Sequence, residues 1–490
     1  MRAKEKSYYS VFFFLLTVCL SLFLAPQGFP QEKFRKSPPS PFPLPLLKLN
    51  PVESTTLTNG LKVAVFSQKN LPLTHIELII MAGERHSPDS LPGLATMTTR
   101  MIGRQTRQFS QEKIQETIES LGGNFQAQTY LDYSRITLEV LAEYTDEALA
   151  LLKQMILWPS FNQRSFDSLK REIYYELVRK SVNPEFLAKR LLFQLLFADH
   201  PYHKIAFSRD DIRRIQLKDV KDFFTQLYLP NNSQIIFIGD LDLKSAAKKT
   251  SHAFFTWKKQ KLIPSTVPSP QPAVKMKIGL IDLPQRNDVT IFLGNLVFPQ
   301  SWAETYAYSV LSHILGGTPY SRLFLRLREM KGYSYYVFSE MEILKNCALF
   351  TIRARVRPEV LEESLQEILA VIREIIVNKK IANYELEQAK SFLIGRLPVE
   401  LESLDNLAFR LTSMNIYGYG NEYWQKYYSN IMSLTPDDVF QVGQKSSLLT
   451  PVITLTGNKE VILQNLKSLD IDLYDKNGKF LYTLRKGEKK

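Results

Sequence analysis

Residues 93–106 read GLATMTTRMIGRQT, and the interpretation of the whole chain depends on this stretch. Its apolar and polar residues follow the pattern of an amphipathic helix. Thr96 and Arg100 are four residues apart, so one helical face presents both side chains, and Thr99 lies next to Arg100. The sequence therefore predicts a helix whose polar side carries two hydroxyls and a permanent cation.

Two further segments carry polar side chains in informative positions. FDSLKREIYYELVR, at 166–179, is a predicted helix with Glu172 and Glu176 on one face. LGGTPYSRLFLRLREMKGYSYYVFS, at 315–339, holds Arg328 and Tyr335, seven residues apart. A guanidinium and a phenol are suited to gripping a peptide carbonyl or stabilising negative charge that develops on oxygen. An alternative role for both residues is to fix the conformation of their own loop.

Together these segments resemble the pitrilysin/insulinase family of zinc metallopeptidases, the inverted zincins, over about residues 55–465. In that family the first stretch typically runs Gly-Leu-Ala-His-x-x-Glu-His-Met, followed after a few residues by Gly-Thr. Five residues of the present chain keep that frame: Gly93, Leu94, Ala95, Met101 and Thr106. Three residues replace the first histidine, the glutamate and the second histidine, respectively: Thr96, Thr99 and Arg100.

These replacements remove the chemistry of the motif. The two imidazoles bind zinc, and the glutamate acts as general base on zinc-bound water. Threonine hydroxyls are poor zinc ligands, and the Arg100 guanidinium places a permanent positive charge where the dication would lie. By the resemblance, Glu172 matches the third zinc ligand, but one carboxylate cannot hold zinc alone. We therefore expect no metal and no catalytic residue in this chain.

Two expectations concern the residues that remain. We predict that a salt bridge from Glu172 to Arg100 fills the vacated pocket, the alternative being a solvated helix face. By the resemblance, Arg328 and Tyr335 match the arginine/tyrosine pair that helps hold the substrate backbone over the metal. The Gly316-Gly317 turn allows close approach of backbones at this place.

The resemblance implies an α+β fold with two homologous α/β-roll domains, each a mixed sheet with packed helices, joined by a Pro-rich linker. An internal duplication agrees with this, because 217–242 and 435–460 each read as a helix, a polar break and a strand ending at Gly239 or Gly457. The predicted boundaries are 1–25 for a signal peptide or N-terminal anchor, 26–55 for a Pro-rich tether, 56–260 for the N-terminal domain, 261–275 for the linker, 276–470 for the C-terminal domain, and 471–490 for an extra hairpin and a basic tail.

The N-terminus indicates export to the periplasm or cell envelope. Arg2, Lys4 and Lys6 precede an apolar run at 11–24, which is shorter than the roughly 20 residues of a membrane span. A secretory signal is thus favoured over an anchor, although membrane association through the N-terminus stays open. The net charge of +13 comes from dispersed basic residues, so no nucleic-acid partner is expected.

Three functions are compatible with these features. The favoured one is an inactive subunit that pairs with an H-x-x-E-H-bearing homologue, which would hold the zinc, to form a chamber that degrades or processes peptides. The second is a non-enzymatic scaffold or peptide-binding protein of an envelope complex. The third, least favoured, is an active zinc metallopeptidase with altered ligands.

Overall fold

The computed structural model describes residues 50–69, 72–262, 269–345, 347–379, 381–418, 422–466 and 469–485. Residues 46–490 belong to one compact unit. The predicted signal or anchor lies outside the described residues, as do most of the tether, the middle of the linker and residues 486–490 of the basic tail. No helix in the described part of the chain is both long and apolar enough to span a membrane.

The first half is built on a six-stranded mixed sheet in the order β1-β2-β6-β3-β5-β4. Only the pair β2–β6 is parallel. The strands are β1 (Glu53–Thr56), β2 (Lys62–Ser67), β3 (Leu73–Ile80), β4 (Asn124–Thr129), β5 (Ser134–Leu141) and β6 (Ser233–Gly239). Strands β3 and β6 are buried along almost their whole length, because helices cover both faces of the sheet.

Eight α-helices belong to the described part of this half: α1 (Leu94–Met101), α2 (Gln111–Ser120), α3 (Thr145–Leu157), α4 (Gln163–Lys180), α5 (Pro184–Leu196), α6 (Arg209–Arg214), α7 (Leu217–Leu227) and α8 (Leu243–Phe254). Local sequence explains several of their starts. Ser110 caps α2 by accepting from the Lys113 backbone N–H, and Asn162 caps α4 in the same way from Ser165. Helix α1, Leu94–Met101, lies within the segment 93–106 for which the sequence predicted a helix.

The second half contains a seven-stranded mixed sheet in the order β13-β12-β7-β11-β8-β10-β9. Its strands are β7 (Lys277–Asp282), β8 (Val289–Val297), β9 (Ser334–Leu344), β10 (Cys347–Val356), β11 (Val452–Gly457), β12 (Ile471–Tyr474) and β13 (Phe480–Leu484). The order β7-β11-β8-β10-β9 repeats the order β2-β6-β3-β5-β4 of the first sheet, with the same parallel pair. The two halves therefore share one topology, which confirms the predicted fold class.

The α-helices of the second half, within the described residues, are α9 (Trp302–Ser312), α10 (Leu361–Ile376), α11 (Asn383–Leu401), α12 (Leu404–Tyr417), α13 (Glu422–Gln425), α14 (Tyr427–Ser433), α15 (Pro436–Lys445) and α16 (Lys459–Asn465). Two π-helical segments, His313–Gly317 and Phe324–Met330, follow α9 and precede β9. They contain Gly316, Gly317 and Arg328 of the segment that resembles the family's C-terminal signature, whereas Tyr335 lies on β9.

Each half supplies one helix that covers the sheet of the other half. Helix α5 packs against the second sheet, where the Thr454 hydroxyl donates to the Ala188 carbonyl at 2.8 Å. Helix α12 packs against the first sheet, and the Thr412 hydroxyl donates to the buried Glu77 carboxylate. Because each exchanged helix buries an apolar face that its own half does not cover, the two halves stabilise each other.

Candidate functional site

A buried carboxylate holds the N-terminus of helix α1. Glu84 has no exposed surface, and its Oε1 accepts from the Thr96 backbone N–H at 2.7 Å and from the Thr96 hydroxyl at 2.5 Å. Its Oε2 accepts from the Gly93 N–H and the Ser87 hydroxyl, at 3.1 and 3.0 Å. Burial raises the pKa of Glu84, and these hydrogen bonds oppose the shift. Thr96, at the first histidine position, is thus committed to helix capping.

Thr99, at the glutamate position, is fully buried in a cluster of hydroxyl groups. Its Oγ1 lies 2.7 Å from Ser134 Oγ and 2.9 Å from the Tyr228 hydroxyl, and it accepts from Thr129 at 2.8 Å. It also donates to the Ala95 carbonyl at 2.8 Å. This position is closed by internal hydrogen bonds, and none of these hydroxyls is a general base at neutral pH.

Arg100, at the second histidine position, binds helix α4 instead of a metal. Its Nη1 donates to Glu176 Oε2 at 2.8 Å, and Lys180 approaches the other oxygen of Glu176 at 2.6 Å. Glu172 is instead bound by both terminal nitrogens of Arg104, in the turn after α1. The predicted Arg100–Glu172 salt bridge is therefore wrong: the helices are in a register that places Arg100 one turn further along α4, opposite Glu176.

Glu172 and Glu176 of α4 both have lowered pKa values. The hydrogen bond from Arg104 is the main cause for Glu172, with a smaller contribution from the charge of Arg100. Partial burial alone would raise the pKa of Glu176, but hydrogen bonds from Lys180 and Arg100 outweigh it and lower the pKa. Glu172 and Glu176 are thus held ionised as partners of cations.

The zinc of the related peptidases does not fit these residues. A zinc ligand must present a free electron pair, but Thr96 bonds to Glu84, Arg100 is a cation, and both oxygens of Glu172 accept from Arg104. Nor do the described residues contain any cluster of three or more histidine, cysteine, aspartate or glutamate side chains that could hold a metal ion.

Arg328 and Tyr335 are placed differently, since both reach solvent. Arg328 is 49% exposed at the side chain and lies 4.9 Å from the Phe324 ring. Within the described residues, its ion-pair contact is with its neighbour Glu329, at 3.9 Å. Tyr335, at the start of edge strand β9, is 58% exposed, and the Arg355 guanidinium stacks on its ring at 5.3 Å. Both side chains can therefore meet a ligand from outside the chain.

The fold positions this segment with other residues. Arg322 makes a half-buried ion pair with Glu385, with two contacts of 2.6 Å. A Cβ atom at Gly316 would lie 2.5 Å from the Ser339 backbone nitrogen, so glycine allows the close approach to β9. Arg322 and the glycine turn thus fix the conformation of this loop, whereas Arg328 and Tyr335 reach solvent.

A cleft of about 590 Å³ lies between the two halves. Tyr130 and Tyr133 line it from the first half, and Phe409 and Arg410 line it from the second. None of the predicted site residues lines this cleft.

Sequence reasoning missed three elements of the site: the capping carboxylate of Glu84, the role of Arg104, and the hydroxyl partners of Thr99. Glu84 begins a 3-10 helix of only three residues, Glu84–His86, which is too short to give a periodic signal in the sequence. Tyr228 and Ser134 are distant in sequence from the motif and reach it only through the fold. The role of Glu176 as a partner of Arg100 could have been considered from the sequence, since Glu176 shares a helical face with Glu172.

Family models match most of the folded chain. The model described as insulinase (peptidase family M16) matches residues 62–207, and the model described as peptidase M16 inactive domain matches residues 214–393. The first match covers the degenerate helix α1, and the second covers Arg328 and Tyr335.

Similar proteins carry two kinds of description. A "non-peptidase homolog YmxG" of Helicobacter pylori is 26% identical over 74% of this chain and 83% of its own length. An "uncharacterized zinc protease YmxG" of Bacillus subtilis is 23% identical over 72% of this chain and 86% of its own length. The similarity thus extends to proteins described as zinc proteases and to one described as a non-peptidase.

Solved structures share the fold. A peptidase M16 inactive domain from Pseudomonas fluorescens superposes with a TM-score of 0.77 at 24% identity, covering 83% of this chain and 98% of that one. A protease from Helicobacter pylori gives a TM-score of 0.78 at 22% identity, covering 84% and 100%. The two family models together cover more than half of the chain, and with the replaced zinc ligands and general base they show that it belongs to the insulinase (M16) peptidase family as an inactive homologue.

Proposed function

We propose that this protein is the non-catalytic subunit of a peptide-degrading or peptide-processing chamber, exported to the periplasm or cell envelope. Its partner is a homologue with an intact H-x-x-E-H helix, which carries the zinc and the general base. The present chain contributes part of the chamber wall and, through Arg328 and Tyr335, a grip on the substrate backbone.

One observation carries the proposal: the polar side chains at the motif positions have partners within the chain in the first half but reach solvent in the second. The polar groups of α1 are satisfied within the chain, whereas Arg328 and Tyr335 stay exposed although neighbouring Arg322 and Gly316 already fix the loop. Exposed side chains that the fold does not use are available to a ligand. A guanidinium and a phenol are both hydrogen-bond donors that suit a peptide carbonyl or a developing oxyanion.

Reconstitution with the catalytic homologue of the same organism tests the proposal. Mass measurement under native conditions should show a complex of the two chains, and the peptidase rate should exceed that of the homologue alone. Arg328→Ala and Tyr335→Phe should each lower kcat/KM of the complex by about tenfold or more, because an oxyanion donor is lost. Lys248→Ala, an exposed cation on helix α8, is the matched control and should change neither rate nor mass.

The contrary result is equally clear. If the chain stays monomeric in the presence of the homologue, and the peptidase rate does not change, the pairing does not occur. If the complex forms but Arg328→Ala and Tyr335→Phe act like the control, the chain is a wall of the chamber and does not grip the substrate.

A non-enzymatic scaffold or peptide-binding role in an envelope complex is the second candidate. It is favoured by the C-terminal hairpin, which extends the second sheet beyond the strands that the two halves share. Purification of the intact chain from envelope extracts with non-peptidase partners, and without an H-x-x-E-H homologue, would select this role.

A further inference from the structure

A cluster of charged side chains is buried where the exchanged helix α12 packs on the first sheet. Glu77 of β3 has no exposed surface, and its neighbours His75 and Arg135 are 1% and 3% exposed. Helix α12 contributes Thr412, whose hydroxyl donates to Glu77, and Asp405, which lies 3.1 Å from Arg135 Nη2. Ionised side chains are seldom buried unless they are paired, so these contacts decide how firmly α12 is held.

The buried Glu77 carboxylate depends on two loose ion pairs. Its Oε2 lies 3.6 Å from His75 Nε2 and 3.8 Å from Arg135 Nη1, and both distances exceed that of a hydrogen bond. Within the described residues this oxygen has no hydrogen-bond partner. Arg135 is shared, because its Nη2 contacts Asp405 and donates to Gln128. A charge on His75 is therefore needed to stabilise the carboxylate of Glu77 fully.

His75 is the member of this cluster whose charge can change near neutral pH. Its Nδ1 lies 3.3 Å from Glu139 Oε2 on the neighbouring strand β5. Burial alone would lower the pKa of His75, but the carboxylates of Glu139 and Glu77 outweigh it and raise the pKa above its ordinary value of 6.5. The groups that face His75 in the described part of the chain are Glu77 on β3, Glu139 and Arg135 on β5, the apolar Ile238 on β6, and Asp405 and Thr412 on α12.

The charge balance of the cluster depends on one proton. With His75 protonated, two cations face three carboxylates, and with His75 neutral, Arg135 alone faces them. Glu77 is then a buried carboxylate with one cation at 3.8 Å, which is strongly destabilising. Because the folded-state pKa of His75 is raised, the stability from its ion pairs is present below pH 6.5 and is lost as the pH rises through the folded-state value.

Arg135 connects this cluster to the cleft between the halves. Its guanidinium lies 5.6 Å from the centre of the Tyr130 ring and 6.0 Å from that of the Phe409 ring. Both rings line the cleft. Phe409 belongs to α12 and lies between Asp405 and Thr412 in the chain. A change in the packing of α12 therefore changes the wall of the cleft.

We propose that protonation of His75 controls the packing of α12 on the first sheet. With the proton bound, the ion pairs of Glu77 hold α12 in place and fix the wall of the cleft. Without it, α12 separates more readily from the sheet, and the cleft wall loses its support. This inference does not depend on the proposed pairing with a catalytic homologue, since every contact involved lies within one chain.

Helix α5, the other exchanged helix, provides an internal reference. The Thr454 and Thr456 hydroxyls hold it on the second sheet by donating to the Ala188 and Pro184 carbonyls, at 2.8 and 3.1 Å. Hydroxyl groups do not change their charge near neutral pH, so these two contacts do not respond to pH. The proposal therefore predicts that pH affects the packing of α12 more than that of α5.

Hydrogen exchange of the intact chain, followed by mass spectrometry, tests the proposal. Exchange is measured from about pH 6 to about pH 9 and corrected for the intrinsic rate at each pH. We expect the protection factors of the α12 amides to fall by about threefold or more across this range, and those of the α5 amides to stay constant. Circular dichroism shows that the chain remains folded throughout.

Two substitutions separate a proton effect from general damage. His75→Asn should give low α12 protection at every pH, because asparagine cannot carry the charge. Adding Glu77→Gln to this variant should restore the protection and leave it independent of pH, because no buried carboxylate remains to be paired. His252→Asn replaces an exposed histidine on α8, so it is the matched control and should keep the wild-type pH profile.

Three results would overturn the inference. Constant protection of α12 in the wild type would show that no proton controls its packing. A wild-type pH profile in His75→Asn would assign the effect to another group. An equal loss of protection in α5 and α12 would show that pH acts on the whole fold and not on the contact between α12 and the first sheet.

Discussion

Helix α1 of the first half and the Arg328–Tyr335 segment of the second half differ in how they satisfy their polar side chains. In α1 each changed position has an internal partner: Glu84 for Thr96, a hydroxyl cluster for Thr99, and Glu176 for Arg100. In the second segment Arg328 and Tyr335 stay largely exposed.

This difference shows that loss of a metal site requires more than loss of its ligands. Polar groups around a vacated site must find new partners, because an unsatisfied buried donor or acceptor costs about 1–3 kcal/mol. In the first half, the Thr96 hydroxyl bonds to Glu84, the Thr99 hydroxyl bonds to neighbouring hydroxyls, and Arg100 forms an ion pair with Glu176. In the second half Arg328 and Tyr335 remain exposed, which is why we propose that the remaining function lies in that half.

The largest expected effect concerns the closed state of the Thr99 position. Thr99→Glu, which restores the residue of the peptidase motif, should lower the free energy of unfolding by about 3 kcal/mol or more, because it forces a carboxylate into a filled hydroxyl cluster. Chemical denaturation followed by circular dichroism measures the change.

Thr99→Ser is the control for this substitution. It keeps the hydroxyl and loses one methyl group, so its cost should be about 1 kcal/mol. If Thr99→Glu is as stable as the serine variant, the position still has room for a general base, and the first half is less closed than we infer.

A smaller effect distinguishes the two arginines. Arg100→Ala should destabilise the fold, and a double-mutant cycle with Glu176→Ala should give a coupling energy of about 0.5–1 kcal/mol, as expected for a partly exposed ion pair. Arg328→Ala should change stability by less than about 0.5 kcal/mol, since Arg328 makes only local contacts. Equal costs for Arg100→Ala and Arg328→Ala would remove the contrast between the halves.

The smallest expected effect depends on pH. Because the folded-state pKa values of Glu172 and Glu176 are lowered, the stability from their ion pairs is present above the unfolded value of about 4.5 and is lost as the pH falls below it. Wild type should exceed the Glu172→Gln/Glu176→Gln variant by about 1 kcal/mol or less at pH 7, given the exposure of both pairs.

The two stability curves should approach each other as the pH falls from 4.5 through the lowered folded-state pKa values, below which the carboxylates are protonated in both states. Thermal unfolding from pH 3 to pH 8 measures this difference. A constant offset between the two proteins across that range would show that the ion pairs do not stabilise the link between α1 and α4.

Much of the fold followed from local pattern. The positions of α1, α2 and α4, the strands that end at Gly239 and Gly457, and the hairpin at 471–484 are set by periodicity, caps and turn residues that lie close together in the chain. The duplication predicted two like halves, and the shared strand order confirms it. The sequence did not predict that α5 and α12 each pack on the sheet of the other half, because an apolar helical face does not indicate which sheet will cover it.

For the candidate site, too, the sequence predicted one part and could not predict another. The exchange of His, Glu and His for Thr96, Thr99 and Arg100 was visible in the sequence, and it sufficed to predict an inactive member of the family. The partner of Arg100 was not visible in the sequence, because Glu172 and Glu176 share one helical face. Only the packing register of α1 against α4 selects between them. A shift of one helical turn exchanges the two candidates.

The sequence alone thus determined which chemistry this protein has given up, since ligand identity is a property of the side chains themselves. Only the tertiary structure decided how the vacated positions were filled and which side chains stayed exposed, because hydrogen-bond partners and burial depend on contacts between segments far apart in the chain. The same holds for the C-terminal hairpin: it was predictable from its turn, but its position at the end of the second sheet depends on pairing with β7, some 190 residues earlier.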